Sequence, residues 1–287
     1  MIRRDGLTYH DPDRSFTVAV PVVERVADLP WSTGDVVLLC VKSQHTAGLL
    51  AELASVAPAE LPVVCFQNGV ANERVVGAVF PEVHGAVVMM PAMHLVPGEV
   101  VANSAPIAGL FDLGRADGEV DDVDRDLADV LSAAGFDARA VPDVMRWKYT
   151  KLLMSTGNAV EALCVPNAHA MELAVRARAE ALAVFAAAGI DFASTEEEAA
   201  RRGSSLTIRP VPGVERRGSS TWQSLERGLG SVEVDAFNGE IARLGAAHGV
   251  PTPANELLLE RALAAAAAGT PPSSVDAADL LARLPTA

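Results

Sequence analysis

The sequence has little cysteine and no long apolar run. Its 287 residues include three cysteines without the paired spacing of a metal site, so we expect no bound metal and reduced thiols in apolar surroundings, as in a cytoplasmic protein. No apolar run approaches the roughly 18 residues that cross a membrane, and the first residues lack the apolar segment of a signal peptide. The sequence therefore predicts no disulfide framework, membrane contact or secretory leader. The cysteines are Cys40, Cys65 and Cys164.

Basic residues are also scarce. Lysine and arginine number 23 against 37 aspartates and glutamates, which gives a formal net charge of −14. Nucleic acid binding needs a basic surface, so this balance argues against a nucleic acid partner, although a few local cations can still hold a small anionic ligand. The chain is 50% hydrophobic and long enough for one large or two ordinary globular domains.

Two sequence patterns meet near residue 142. Before it, short runs of Val and Leu alternate with helical patterns, which predicts a parallel, doubly wound sheet covered on both faces. After it, long helices rich in Ala and Leu predict an all-α domain. We therefore expect an α/β fold, with a sheet domain over residues 1–142 and a helical domain over residues 143–287. Predicted strands cover residues 17–23, 35–42, 61–66, 83–90, 99–111 and 138–141, and predicted helices of the first half cover 46–56, 72–79 and 121–134.

One lysine of the second half lies inside a run, residues 147–163, that otherwise indicates a buried helix. Ser155 and Asn158 follow Lys151 at i+4 and i+7, so the three side chains are predicted to share one helix face. Burying an amine is costly unless the amine is used, which favours a functional site. The alternative is a lysine at the helix margin whose ammonium reaches water.

Polar residues follow two neighbouring strands of the predicted sheet. Lys42 ends one strand, and Asn68 with Gly69 follows the next. Ligands of open α/β sheets bind outside the carboxyl ends of the strands, so these residues together predict a polar crevice that faces one ligand. Taken singly, Asn-Gly is also typical of a plain turn, and Lys42 of a surface residue.

The helical half carries a second group of polar residues. Ser219 and Ser220 lie in a loop of hydroxyl residues that leads into a helical stretch, where hydroxyls either cap the helix or bind a carboxylate. Glu233 lies at the first turn of another predicted helix, flanked by valines, where the alternative to a site role is a favourable interaction with the helix dipole.

Seven short motifs occur in order along the chain. They are Val-Lys at 41–42, Gln-Asn-Gly at 67–69, Trp-x3-Lys-x6-Asn at 147–158, Pro-Asn at 166–167, Ser-Ser-x-x-Gln at 219–223, Glu-x-Asp-x-x-Asn-Gly at 233–239 and Gly-Val-Pro-Thr-Pro at 249–253. Together they resemble the ketopantoate reductases, which are NADPH-dependent 2-dehydropantoate 2-reductases of the 6-phosphogluconate-dehydrogenase-like superfamily. The resemblance extends from about residue 2 to about residue 265.

The resemblance implies an activity and a set of residue roles. The activity is NADPH-dependent reduction of a small 2-keto acid to the 2-hydroxy acid, a step of pantothenate biosynthesis. Lys151 matches the lysine that donates the proton to the carbonyl oxygen, where an ammonium also stabilises the developing alkoxide. The implied substrate contacts are Asn68, Ser155, Asn158, Asn167, Ser219 and Ser220, and the implied cofactor contacts are Lys42, Asn68 and Glu233. Monomers or homodimers are implied as well.

The sequence departs from the family pattern in three places. Ser155 stands where many members have asparagine, and Arg217 stands near a position where some members have a further asparagine. The implied substrate class is still a small 2-keto acid rather than an acyl-CoA, but the resemblance does not identify which acid. Family members also begin with a strand and a Gly-x-Gly-x-x-Gly turn, which binds the cofactor pyrophosphate, and no such turn follows a strand here.

The missing turn leads to two expectations. The sheet domain is predicted to be an incomplete Rossmann-type domain, without the first strand and glycine loop, that binds NADPH weakly. Two explanations fit this sequence. Either the sequence starts at an internal methionine of a working reductase, or it is a non-catalytic homologue that acts as a binding or interaction protein.

Overall fold

The computed structural model describes residues 1–285 and separates the chain into two compact units. The first unit contains Met1–Lys148 and Ala193–Arg216, and the second contains Tyr149–Phe192 and the chain from Arg217 onward. The division after Lys148 falls inside one helix, a few residues beyond the boundary that the sequence predicts. The segment 193–216 differs more, since the sequence pattern groups it with the helical half.

Charged side chains fix this segment to the first unit. Arg201 is only 9% exposed, and its Nε donates to Asp112 Oδ1 at 2.6 Å. Arg209 donates through both terminal nitrogens to the exposed carboxylate of Asp13. An arginine buried against a carboxylate 89 residues away leaves no local pattern in the sequence, which explains why composition alone places the segment elsewhere.

The strands of the first unit form a four-stranded and a five-stranded sheet. They are β1 (Leu7–His10), β2 (Ser15–Val18), β3 (Val37–Leu39), β4 (Val63–Cys65), β5 (Val83–Met89), β6 (Ala92–Met93), β7 (Glu99–Ala102), β8 (Leu110–Arg115) and β9 (Asp137–Ala140). The smaller sheet has the order β2-β1-β7-β6, and the larger has the order β3-β4-β5-β8-β9. Of the larger sheet's neighbours, β5 and β8 are antiparallel and the others parallel.

The larger sheet is therefore mixed rather than parallel throughout. A parallel neighbour requires a crossover connection, usually a helix. The chain between β5 and β8 instead forms β6 and β7, and β8 returns alongside β5 in the opposite direction. The continuous Val and Leu run of β4 predicts burial correctly, since Val63, Val64 and Cys65 are each at most 1% exposed. For β3 the expectation of burial on both faces is wrong, because this edge strand leaves Leu38 41% exposed.

Helices cover the first unit's larger sheet and make up most of the second unit. They are α1 (Ile2–Asp5), α2 (Thr46–Ala54), α3 (Asn72–Gly77), α4 (Asp122–Ala133), α5 (Val144–Ser155), α6 (Asn158–Leu163), α7 (Ala168–Ala188), α8 (Thr195–Arg202), α9 (Ser220–Glu226), α10 (Asn238–His248), α11 (Pro253–Ala268) and α12 (Ala277–Leu281). Short 3-10 turns lie at Val26–Asp28, Ser43–His45 and Glu233–Ala236. Among residues 1–285, no helix is long and apolar enough to cross a membrane.

The longest helix, α7, supports the core of the second unit. Leu173, Ala177, Ala181 and Val184 recur three or four residues apart along it and are all fully buried. The alanines let neighbouring helices approach closely, and α10, α11 and α12 all pack against α7. Gly189 ends the helix in the left-handed conformation at φ +65°.

The run 147–163 is not one helix, and the expectation of a single continuous face is wrong. α5 ends at Ser155 and α6 begins at Asn158. Hydroxyls compete with the helical hydrogen bonds here, because Ser155 Oγ donates to Lys151 O at 2.9 Å and Thr156 Oγ1 donates to Leu153 O at 2.9 Å. The Thr156 carbonyl accepts instead from Asn238 Nδ2 at 3.0 Å, which stabilises the break.

The cysteines give a direct test of this packing. Cys65 and Cys164 are buried as predicted, but Cys40 is exposed because the edge strand β3 alternates between buried and exposed positions into the residues that follow it. Burial raises the pKa of Cys164 to about 11. Desolvation also raises the pKa of the Cys40 thiol, but its surface remains accessible to a reagent. We therefore expect Cys40 alone to react with a disulfide reagent in the native protein and all three thiols to react after denaturation; rapid reaction of all three in the native protein would contradict the burial.

Candidate active site

The residues after β4 form a polar network at the carboxyl ends of β3 and β4. Gln67 is 4% exposed, and its Nε2 donates to Val41 O at 2.9 Å and to Thr46 Oγ1 at 2.7 Å. One side chain thus joins the end of β4 to the segment after β3 and to the start of α2. Hydrogen bonds therefore join the strand ends at which the sequence predicts a crevice.

Asn72 extends this network to Asn68. Its Oδ1 accepts from Thr46 Oγ1 at 3.0 Å, and its Nδ2 donates to Ser43 Oγ at 3.1 Å and to Asn68 O at 3.3 Å. The next residue, Gly69, has φ +83°, a backbone conformation that residues with a Cβ rarely adopt. The main chain of Asn68 is held in place by these contacts.

Two side-chain oxygens of this turn have no donor. Asn68 Oδ1 and Gln67 Oε1 are both buried and have no hydrogen-bond partner within residues 1–285. A buried acceptor without a donor costs about 1–3 kcal/mol, so such a group in a crevice suits a ligand that brings a donor. Lys42 lies where the sequence places it, half-buried just after β3, where its backbone precedes the 3-10 turn.

A buried ion pair lies under the same turn and is absent from the sequence-based site. Lys148 of α5 is 3% exposed, and its Nζ donates to Gln67 O at 2.9 Å and lies 2.5 Å from Glu73 Oε1. A further contact at 3.4 Å joins the ammonium to Ala86 O of β5. The signal in the sequence is a lysine within an apolar helix, which Lys148 shares with the predicted site residue Lys151.

In the second unit, α5 carries Lys151 as a half-buried side chain. Ser155 is 7% exposed, and because its hydroxyl hydrogen is donated to the Lys151 carbonyl, only its oxygen lone pairs remain for a ligand. Asn158 is the first residue of α6 and is half-buried.

Two of the predicted substrate residues cap helices. Asn167 is exposed, and its Oδ1 accepts from Ala170 N at 2.9 Å at the start of α7. Ser219 Oγ accepts from Trp222 N at 3.5 Å at the start of α9, while its own backbone N–H donates to Glu161 Oε2 at 3.0 Å. The capping alternative is confirmed for Ser219, and a substrate role for either residue stays a prediction.

The remaining predicted residues lie at the starts of short helical segments. Ser220 is the first residue of α9 and is half-buried. Glu233 is 6% exposed and begins the 3-10 turn Glu233–Ala236, which matches its predicted place in a first turn. Val234, Phe237 and Ile241, which follow it, are at most 1% exposed.

Comparison with protein families gives two matches that cover most of the chain. The family described as ketopantoate reductase PanE/ApbA matches residues 1–117, and its C-terminal part matches residues 143–265. A 2-dehydropantoate 2-reductase from Archaeoglobus fulgidus is 31% identical over 234 residues, which cover 78% of this chain and 74% of the relative.

Solved structures agree with the predicted fold class. A PanE/ApbA family ketopantoate reductase from Ralstonia eutropha JMP134 superimposes with a TM-score of 0.74 at 26% identity, covering 93% of this chain and 87% of that one. A D-mandelate dehydrogenase solved with NADH and anilino(oxo)acetate has the same TM-score and coverage at 21% identity, which shows similarity of fold alone. The Rossmann-like sheet domain with a helical C-terminal domain is confirmed, and the chain belongs to the ketopantoate reductase family.

Proposed function

We propose that this protein reduces a small 2-keto acid to the 2-hydroxy acid, with NADPH as the reductant and Lys151 as the proton donor. The observation that carries the proposal is the membership of the chain in the ketopantoate reductase family, with the predicted motif residues present in order. The buried, unpartnered Oδ1 of Asn68 at the carboxyl ends of the strands supports it independently.

The residues of the strand-end network fit a pyridine nucleotide. Asn68 Oδ1 offers a buried acceptor to a carboxamide or ribose donor, and Lys42 offers a cation to a phosphate. Glu233 lies outside this network, in the second unit, and the family resemblance assigns its buried carboxylate to the ribose hydroxyls. When bound, the reduced nucleotide supplies the hydride to carbon 2 of the keto acid.

Lys151 donates the proton. Its ammonium hydrogen-bonds the substrate carbonyl oxygen and stabilises the negative charge that develops there, then transfers one proton to that oxygen. The half-buried position in α5 strengthens this interaction, because charges interact more strongly where less water surrounds them. Lys151 is thus both the acid and the electrostatic stabiliser of the reaction.

The remaining side chains orient the acid substrate. The Ser220 hydroxyl donates to the substrate carboxylate, and the Asn158 amide holds its hydroxyl or polar end. Ser155 contributes a lone pair only, since its hydrogen is bonded to the Lys151 carbonyl. Asn167 contributes its Nδ2 donor, because its Oδ1 caps α7.

A substrate panel tests this function. We expect NADPH consumption with 2-keto acids, 2-dehydropantoate among them, at kcat/KM values at least about tenfold above those for 3-keto acids, because a carboxylate next to the carbonyl satisfies both Ser220 and Lys151. NADPH absorbance with each acid gives the measurement, and the matched control omits the acid. A preference for 3-keto acids, or equal rates with both classes, would contradict the assigned substrate class.

A further inference from the structure

A second polar cluster lies at the opposite end of the five-stranded sheet. His84 is the second residue of β5, whereas Asn68 follows the end of the parallel strand β4. Arg115 pairs with His84 across the antiparallel β5–β8 ladder. Glu82 precedes β5, and Asp121 caps α4. The cluster is therefore separate from the crevice of the proposed reductase site and does not depend on it.

The hydrogen bonding of His84 determines what its second nitrogen can do. The side chain is fully buried, and Nδ1 lies 2.8 Å from Asp124 Oδ1, where an ionised carboxylate requires Nδ1 to carry the hydrogen. In the neutral ring Nε2 then carries a lone pair. This Nε2 is buried without a hydrogen-bond partner within the described chain, and it lies 4.0 Å from Asp121 Oδ2.

This lone pair and the neighbouring carboxylates together form a set of donor atoms for a cation. One ligand atom from each of Glu82, His84 and Asp121 lies within 4.8 Å of the other two. Zinc-class ions bind imidazole nitrogen and carboxylate oxygen at about 2.0–2.2 Å, so their ligand atoms lie closer together than this when the ion is bound. The Glu82 side chain is 41% exposed and has room to move inward.

Arg115 is the cation that now contacts these carboxylates. Its Nη1 donates to Glu82 Oε2 at 2.6 Å and to Asp121 Oδ2 at 3.1 Å. Its Nε and Nη2 are bound separately to Asp117, at 3.1 and 3.0 Å from Oδ2. The guanidinium can therefore release Glu82 and Asp121 to another cation while Asp117 continues to hold it.

The excess of negative charge and the hydrogen bonds around the ligand atoms both favour replacement of the Arg115 guanidinium by a metal ion. Glu82, Asp117 and Asp121 bring three carboxylates to Arg115, and a fourth, Asp124, contacts His84. A histidine that donates its other ring N–H to a carboxylate, as His84 does to Asp124, is the usual arrangement of a metal ligand. Asp121 Oδ1 is already held by Val123 N at 2.9 Å, which fixes the carboxylate that would bind.

We propose that Glu82, His84 and Asp121 bind one divalent transition-metal ion of the zinc class, with Asp124 orienting His84. One nitrogen and two oxygen ligands leave a fourth position for water. The ion ties the start of β5 to the connection between β8 and α4. Its role is to stabilise the fold, since the cluster lies away from the strand ends that carry Asn68.

Cobalt titration of the metal-stripped full chain tests this site. Co²⁺ is followed by its visible absorption in a Cys40→Ser background, which removes the exposed thiol as a competing ligand. Glu82→Gln and Asp121→Asn each remove one ligand charge, and asparagine can still cap α4. Glu119→Gln is the matched control, an exposed glutamate of the same connection outside the ligand set.

We expect one equivalent of Co²⁺ to bind, with the affinity lowered at least about tenfold by Glu82→Gln and by Asp121→Asn and unchanged by Glu119→Gln. Zn²⁺ should raise the Tm of the parent and not that of Glu82→Gln. Two results would overturn the site: no binding at millimolar Co²⁺ by a chain that is folded by circular dichroism, or equal affinity in the parent and both ligand variants.

Discussion

Lys151→Ala is expected to lower kcat by about 10²- to 10⁴-fold, the loss that follows removal of a general acid. The KM for the keto acid should change much less, because the ammonium interacts most strongly with the alkoxide that develops in the transition state. Alanine is a strong helix former at this half-buried position of α5, so the variant should fold.

Steady-state kinetics with NADPH and a 2-keto acid measure this effect. Met154→Ala is the matched control, since Met154 is 44% exposed on the same helix and has no role in the proposed chemistry. Circular dichroism of both variants checks that α5 is intact. A kcat for Lys151→Ala near that of the parent would show that another group donates the proton.

Lys148→Met is expected to lower the free energy of unfolding by about 3–5 kcal/mol, because it leaves the buried carboxylate of Glu73 without its cation. The same change removes the ammonium that holds the Gln67 carbonyl, so the turn carrying Asn68 loses a support as well. Replacing both partners, as in Lys148→Met with Glu73→Gln, should recover part of the loss, since no buried charge then remains unpaired.

Urea unfolding of the single and double variants gives this measurement. Arg25→Ala is the control for an exposed pair, since Arg25 and Asp28 lie on the surface and such pairs contribute about 1 kcal/mol or less. If Lys148→Met lowered the free energy of unfolding by no more than Arg25→Ala does, the buried pair would contribute no more to stability than an exposed pair. A double variant less stable than Lys148→Met would contradict the unpaired charge as the cause.

Much of the sheet domain is predictable because its signals are local. The valines of β4 report burial on both faces, and β4 and β5 both occur within a few residues of their predicted bounds. Asp121 opens α4 with a capping box, near the predicted start of that helix. The polar residues after β3 and β4 were also predicted to share a crevice, and Gln67 joins these two strand ends through Val41.

The features that the sequence does not predict depend on partners far along the chain. The break between α5 and α6 is stabilised by Asn238, 82 residues from Thr156. The burial of Lys148 becomes favourable only beside Glu73 and the Gln67 carbonyl, which folding brings to α5. The His84 cluster escapes a search for cysteine spacing because its ligands are a histidine and two carboxylates from separate elements.

The most direct test of the reductase assignment is the amount of 2-hydroxy acid formed for each NADPH consumed. The purified 287-residue chain is incubated with 2-dehydropantoate or a related 2-keto acid, NADPH is raised until the rate no longer increases, and the product is identified by mass. We expect one 2-hydroxy acid per NADPH, with turnover lost in Lys151→Ala. A folded chain that forms no 2-hydroxy acid from any 2-keto acid would contradict the assignment and favour a non-catalytic binding protein.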